Sequence, residues 1–358
     1  MYPALAVLKK LENKVQAVLW VGGTGGIEAD LVTLAGVPFT AIPAAGVHGV
    51  GLRALPANLV RLVRGTLASR RILAEFKPNA IFFTGGYVAA PMAVAAYGKP
   101  ILLYVPDIEP GLALRFLSRF SRVIALTADE SKKYLKTSAR LAVTGYPTRP
   151  ELGQWDRDAA CAHFNLSSDQ PVLLIAGGSK GARSINLPVF AALPSLLAMA
   201  QVVHITGSLD KDAAEAARAA LPANLQNLYH IFEYLHDDMG AALASADLAI
   251  TRAGASALGE YPLFGLPAIL VPYQYAWRYQ KVNADYLQSR GAALILEAGQ
   301  LSSELLPTVS SLLADPQRLD AMRQAMRSLA RPNAAGEIAG LLQDLAGEPL
   351  GERGAQTW

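Results

Sequence analysis

A chain of 358 residues, 52% hydrophobic and 17% charged, can bury more than one core, so two globular domains are expected. Its net charge of +3 is too small to argue for a nucleic-acid partner. The single cysteine, Cys161, excludes an internal disulfide and a cysteine-built metal cage, and no apolar run reaches the ~18–20 residues that span a bilayer.

The opening segment, MYPALAVLKKLENK, has neither the basic-then-apolar order nor the cleavage site of a signal peptide, so a cytoplasmic protein is expected. It predicts a helix over 2–11 with no strand in front of it. Residues 15–21 (VQAVLWV) predict a strand, followed by the cluster Gly22-Gly23-Thr24-Gly25-Gly26 and a helix over 28–35. Such a turn suits phosphate, but glycine-rich βα turns also arise for steric reasons. After a short strand over 37–43, a helix over 56–76 begins at Pro56. Arg61, Arg64 and Arg71 lie within about 80° of one another, opposite a group formed by Leu59, Leu62, Leu73 and Phe76. Six basic residues from Arg53 to Lys77 face only Glu75, so this helix is a candidate membrane-surface element as well as an ordinary solvated face.

A strand over 80–83 ends in Thr84-Gly85-Gly86-Tyr87, at the sheet edge where ligands collect in open α/β folds. A helix over 89–97, a strand over 100–105 and the loop PDIEPG follow. The next helix, over 112–122, mixes Leu and Phe with Arg115, Arg119 and Arg122. Strands over 123–126 and 141–143 lead to GYPTRP (145–150), a proline-rich hinge carrying Arg149. The pattern then restarts with a strand over 172–176 and the loop GGSKGAR (177–183). It continues as a strand (201–206), a helix (212–220) and a strand (228–232), then YLHDDM (234–239) before another helix. Asp210-Lys211-Asp212 has the D-x-D form of some metal-dependent transferases, but at the start of an amphipathic helix it reads as an N-terminal cap. The histidines show no H-x-x-x-H spacing.

A strand over 248–250 gives way to TRAGASALGE (251–260). Gly254 suits a tight turn, Ser256 can cap a helix start that offers its N–H groups to an anion, and Glu260 follows about one turn later. Gly265-Leu266-Pro267 stops that helix, 268–271 is the next strand, and an amide-rich loop follows Pro272. Helices over 302–314, 316–329 and 334–345 precede a frayed tail, 347–358. Arg149 and Lys180 can add charge for a diphosphate. The arrangement suits a nucleotide-sugar pocket held without metal, while an ordinary βαβ unit with a surface Glu260 stays open as the alternative. Two βαβ domains in tandem, hinged near 145–150, predict a cleft between them.

The motifs YPALAV (2–7), VLWVGGTGGIEADLV (18–32), FTGGYVAAP (83–91), GYPTRP, GGSKGAR, YLHDDM, TRAGASALGE, GLPAILVPYQ (265–274), RYQKVNA (278–284) and RPNAAGEIA (331–339) occur in one order and spacing. In these the chain resembles the MurG family, the peptidoglycan N-acetylglucosaminyltransferases acting on undecaprenyl-diphosphate lipid. The resemblance implies an α/β GT-B glycosyltransferase, with two Rossmann-like doubly wound domains facing a cleft. Residues 1–148 with 332–346 would form an acceptor and membrane-facing domain, 149–331 a UDP-sugar donor domain, and 347–358 a disordered tail. The final helix would cross back onto the N-terminal domain.

By the same resemblance Glu260 accepts from the ribose hydroxyls, and Gly254, Ala255 and Ser256 face the diphosphate. Arg149 and Ser179 lie near the phosphates, the backbone at Tyr234 and Leu235 reads uracil, and Gln280 and Asn283 lie by the sugar. Arg252 and Gln274 complete the donor set. Gly85, Gly86, Tyr87 and Asp107 would contact the acceptor. No metal and no cofactor are implied. The implied reaction is inverting transfer of a sugar, GlcNAc first among candidates, from UDP to a lipid-linked muramyl peptide in peptidoglycan precursor synthesis. The implied location is peripheral, on the cytoplasmic face of the membrane, through 56–76 and 112–122.

Departures mark the limits of the resemblance. The family's first strand and G-G-T-G-G-H loop would stand before Tyr2, where this chain has Met1; a start placed too late or a degenerate protein would account for it, and the general base is unassigned. Tyr104-Val105-Pro106-Asp107 stands for H-E-Q-N, Ala257 for a threonine near the diphosphate, and Trp277 and Tyr279 for an aspartate and a glutamine by the sugar. Two other readings follow: a UDP-sugar binder that is inactive or uses another sugar or acceptor, and a UDP-GlcNAc 2-epimerase.

Overall fold

The computed structural model describes residues 1–26, 28–46, 55–178, 181–273 and 279–347. Ser179, Lys180, Gln274, Trp277 and the tail from 348 therefore lie outside the described residues. The chain divides into two compact units, Met1–Pro147 with the segment from Asn333 onward, and Thr148–Pro332.

The first unit contains α1 (Tyr2–Leu11), β1 (Trp20–Gly23), α2 (Glu28–Leu34), β2 (Phe39–Ile42), α3 (Leu55–Phe76), β3 (Ile81–Phe83), α4 (Ala89–Ala95), β4 (Ile101–Val105), α5 (Leu112–Leu117), β5 (Val123–Leu126) and β6 (Arg140–Val143). All its strand pairs are parallel: β1 with β2, and β3-β4-β5-β6 in chain order. Parallel strands covered on both faces are apolar throughout rather than alternating, and ILLYV of β4 is buried at every position.

Two elements are shorter than the sequence pattern predicts. The strand expected over 15–21 begins only at Trp20, because its partner begins at Phe39; the Trp20 amide already donates to the Pro38 carbonyl at 2.8 Å. The helix expected over 112–122 ends at Leu117, because the Arg122 amide bonds the Ile101 carbonyl and so belongs to the sheet. The long helix α3 forms as expected but packs through its small residues. A Cβ on Gly65 would lie 2.1 Å from the Pro43 carbonyl oxygen, so the helix lies close against that backbone. Gly65, Ser69 and Leu73 face inward, whereas Leu59, grouped with Leu73 by periodicity, is exposed beside Val60, Val63 and Leu67.

The second unit contains α6 (Arg157–Phe164), β7 (Val172–Ala176), α7 (Arg183–Leu197), β8 (Gln201–Ile205), α8 (Lys211–Ala219), α9 (Ala223–Gln226), β9 (Tyr229–Phe232), α10 (Met239–Ser245), β10 (Leu248–Thr251), α11 (Glu260–Phe264), β11 (Ala268–Leu270), α12 (Tyr279–Gln288), β12 (Ala293–Ile295), α13 (Leu301–Leu313) and α14 (Pro316–Ser328). Its six parallel strands are ordered β12-β11-β10-β7-β8-β9. Counted from β7 this is the doubly wound order 3-2-1-4-5-6, whose switch point lies between β7 and β10. Leu173, Ile175, Val202, Leu248, Ile250 and Ile269 join Ile185 and Val189 of α7 and Leu305 and Val309 of α13 in one core. Burying each such side chain contributes about 1.5–3 kcal/mol. The chain then returns to the first unit as α15 (Ala334–Gly347), which packs against α1 and β4.

Candidate functional site

In such an order the connections leave β7 and β10 toward opposite faces of the sheet, and their C-terminal ends flank the switch point. Gly177 and Gly178 follow β7 there and Arg252–Gly254 follow β10, with Thr251 in register with Ala176. The expected helix over 254–264 is divided. A 3-10 turn, Ala255–Leu258, precedes the five-residue α11, and Ser256 makes no cap bond. The Ser256 side chain and the charge of Arg149 both favour the ionised form of the Glu260 carboxyl. Burial outweighs both and raises the Glu260 carboxyl to about 7. So short a turn carries little dipole, and an anion held there would rely on individual N–H groups and on Arg149. Gly254 has a φ of −68° that any residue can take, and a Cβ on it would meet none of the described residues within 4 Å. Neither the backbone nor the packing of the described residues requires glycine there. Ala257 is buried in the turn.

Arg149 donates through Nη1 to the His236 carbonyl at 2.9 Å. That places it beside an open hollow of about 320 Å³ lined by Ser208, Glu233, Tyr234 and His236. The Tyr234 ring stands edge-on to that of His236 at 4.4 Å, and Leu235 is buried beneath them.

The remaining described donor-side candidates serve the frame of the crevice. Arg252 donates to the carbonyls of Val271 and Pro272 at 2.9 and 3.4 Å and to Ser184 Oγ of α7, and its guanidinium lies 5.2 Å over the Tyr273 ring. Burial lowers its pKa from the usual guanidinium range. Gln280 Oε1 accepts from the Tyr273 amide at 2.9 Å. Asn283, expected beside a sugar, is fully buried, and its Nδ2 donates to the Ala253 carbonyl at 3.1 Å. Buried amides need partners of this kind, so the side chain holds the turn from below instead of facing outward. The cap expected of Asp210 is also absent: Asp210 stands at the N-cap of α8, but its carboxylate accepts from Asn186 Nδ2. Ser184, Asn186 and Ser208 stand just outside GGSKGAR (177–183) and Asp210-Lys211-Asp212, and no spacing in the sequence singles them out.

In the first unit Gly85 and Gly86 follow β3 with φ of +106° and +90°, conformations that favour glycine. Tyr87 is 61% exposed, and its ring packs on Gly46. Asp107 follows the adjacent strand β4, so these candidates gather at one sheet edge. Tyr104, at the first position of the altered H-E-Q-N motif, is fully buried with its hydroxyl 2.8 Å from Thr127 Oγ1. Its phenol is raised well above the usual value, first by burial, then by Tyr146 and Asp107. Among the described residues no group of three His, Cys, Asp or Glu side chains could hold a metal ion.

A doubly wound sheet with a carboxylate-bearing turn at its switch point has the architecture of a nucleotide-sugar glycosyltransferase donor domain. The N-terminal domain of glycosyltransferase family 28 matches residues 1–126, and the C-terminal domain of that family matches 172–338. A UDP-N-acetylglucosamine--N-acetylmuramyl-(pentapeptide) pyrophosphoryl-undecaprenol N-acetylglucosamine transferase from Roseiflexus sp. (strain RS-1) is 42% identical, across 92% of this chain and 84% of the relative. The crystal structure of Acinetobacter baumannii MurG superposes with a TM-score of 0.75 at 28% identity, covering 96% of this chain and 95% of that one. The chain belongs to the MurG family of glycosyltransferases with the GT-B fold. A Neisseria meningitidis UDP-GlcNAc 2-epimerase also superposes, with a TM-score of 0.67 at 13% identity over 96% of each chain, a likeness of fold alone.

Proposed function

We propose that this chain transfers N-acetylglucosamine from UDP-GlcNAc to an undecaprenyl-diphosphate-linked N-acetylmuramyl peptide, making a peptidoglycan precursor. The observation that carries the donor half is the Ser256–Glu260–Arg149 group at the switch point, beside a Gly254 that the fold itself does not need. Ionised Glu260 accepts from the ribose hydroxyls. The uracil lies in the hollow at Tyr234 and Leu235, and the diphosphate against Gly254, Ala255 and Ser256. In the transfer a sugar C1–oxygen bond to the acceptor forms as the bond to the diphosphate breaks. The hydroxyl proton must leave, and the charge on departing UDP is stabilised by Arg149 and the turn amides. Arg252, Gln280 and Asn283 act through the loops they hold. Gly85, Gly86, Tyr87 and Asp107 meet the acceptor on the first unit. Ser179 and Gln274 complete the donor contacts in this reading.

The lipid acceptor calls for a membrane surface. No described helix is long and apolar enough to cross a membrane. The reading puts the chain peripherally on the cytoplasmic face; support for a membrane surface comes from the outer side of α3, where exposed Leu59, Val60, Val63 and Leu67 lie among exposed Arg64, Arg70 and Arg71. Exposed Leu112 and Phe116 of α5 extend the apolar surface of the same unit. Calorimetry with UDP-GlcNAc tests the donor half: saturable binding is expected, and no heat at millimolar ligand would overturn it. A chain that binds the donor yet transfers nothing to the lipid acceptor would favour the binding-only reading.

A further inference from the structure

Behind the hollow lies a chain of buried polar groups that the mechanism above does not use. Asn186 of α7, His204 of β8, Thr206 and Asp210 of the loop after β8, and Tyr229 of β9 are all buried. Asn186 Nδ2 stands 2.9 Å from the Thr206 carbonyl and 2.9 Å from Asp210 Oδ2. Both partners only accept, so this end of the amide must be the NH2 group. Its Oδ1 then faces His204 Nε2 at 3.0 Å, which must carry the imidazole proton. His204 Nδ1 is left as the acceptor for the Tyr229 hydroxyl at 2.8 Å. The direction of every bond is fixed, from Tyr229 through His204 and Asn186 to Asp210. Turning the amide over would set its oxygen against a carboxylate and a carbonyl.

The two Asn186 bonds span a five-residue loop, Thr206–Asp210, from end to end, and Ser208 at its middle forms one wall of the hollow. The glycine loop after β7 rests on the same point, since a Cβ on Gly181 would lie 2.1 Å from the Thr206 carbonyl oxygen. We propose that Asn186 is a positioning residue for the nucleotide pocket: its amide staples the 206–210 loop, and the Tyr229–His204 pair holds that amide in the only orientation able to do so. The inference rests on reading the hollow as the place of the donor's nucleotide.

The test is UDP-GlcNAc binding to the full chain by calorimetry, at a temperature where circular dichroism shows each variant folded. Asn186→Leu keeps the branching of the side chain, though it is bulkier, and removes both staples, and should raise Kd about tenfold; Tyr229→Phe removes only the outer hydrogen bond and should raise it about threefold. Val189→Ala, a core change in the same helix, should lower the melting temperature while leaving Kd unchanged. The proposal is overturned if Asn186→Leu and Tyr229→Phe bind within about twofold of the unsubstituted chain, or if Val189→Ala weakens binding as much as they do. Should Asn186→Leu not fold, Tyr229→Phe against Val189→Ala decides. Failure of the unsubstituted chain to bind removes the donor-site reading and this inference together, whereas normal binding by the variants removes this inference alone.

Discussion

Glu260 is where a single residue determines what the donor site can do. Ser256 and the charge of Arg149 favour the ionised carboxylate, burial opposes them, and burial wins by enough to hold the carboxyl at about 7. A ribose whose two hydroxyls both donate to this group favours the ionised form, in which both oxygens accept. Glu260→Ala should weaken UDP-GlcNAc binding by about 1–3 kcal/mol, the cost of leaving hydroxyls without a partner, and an unchanged affinity by calorimetry would sink the ribose assignment. The sign of the pH dependence follows. Affinity should approach its full value above about pH 8 and fall as pH drops through about 7, where half of the groups are protonated, since the diphosphate diester of UDP-GlcNAc does not itself titrate in that range. For the unliganded fold the sign is opposite: with the folded value raised above 4.5, this group's contribution is largest at low pH and is lost as pH rises through about 7. Melting curves without and with UDP-GlcNAc between pH 5.5 and 8 should therefore diverge as pH rises, and parallel curves would contradict the assignment.

Elements were legible in the sequence in proportion to how far burial alone decides them. The strands β4, β7 and β8 are continuous apolar runs because both faces are covered, and pattern reading locates them. Where a partner decides, it fails: β1 starts at Trp20 only because β2 starts at Phe39, and α5 ends because Arg122 is claimed by the sheet. The turn after β10 was legible in Gly254–Glu260, but Ser256 as a helix cap was not, since a 3-10 turn stands where the helix start was expected. Asn283 and Asp210 look like ligand or cap residues in one dimension, and only the packed neighbours show them bound to Ala253 and Asn186. On α3 the small residues Gly65 and Ser69 face the protein with Leu73, while Leu59, Val60, Val63 and Leu67 face out, an exposed apolar stripe that a soluble helix does not normally show. Val63→Asp should therefore lower partitioning onto anionic vesicles about tenfold or more with little loss of melting temperature, because it deletes about 1.5–3 kcal/mol of apolar contact with lipid and none with protein. Unchanged co-sedimentation with vesicles would rule the α3 stripe out as the contact.

At the scale of the whole molecule the functional reading joins two units with unlike tasks. The second provides the 3-2-1-4-5-6 sheet whose switch point carries the residues proposed to hold the donor. The first carries Gly85, Gly86, Tyr87 and Asp107 on one sheet edge and the apolar stripe on α3. Membership of the MurG family fixes the kind of chemistry, whereas Tyr104, Val105, Pro106 and Asp107 on the acceptor side and Ala257, Trp277 and Tyr279 on the donor side are the positions where this chain departs from the family pattern. The most direct measurement is turnover by the full chain of UDP-GlcNAc and an undecaprenyl-diphosphate-linked N-acetylmuramyl peptide in vesicles, following UDP release and the lipid product together. The account predicts one disaccharide-bearing lipid formed per UDP released, with activity sharply reduced in Glu260→Ala. Saturable UDP-GlcNAc binding with no lipid product, or UDP release without a glycosylated lipid, would contradict it.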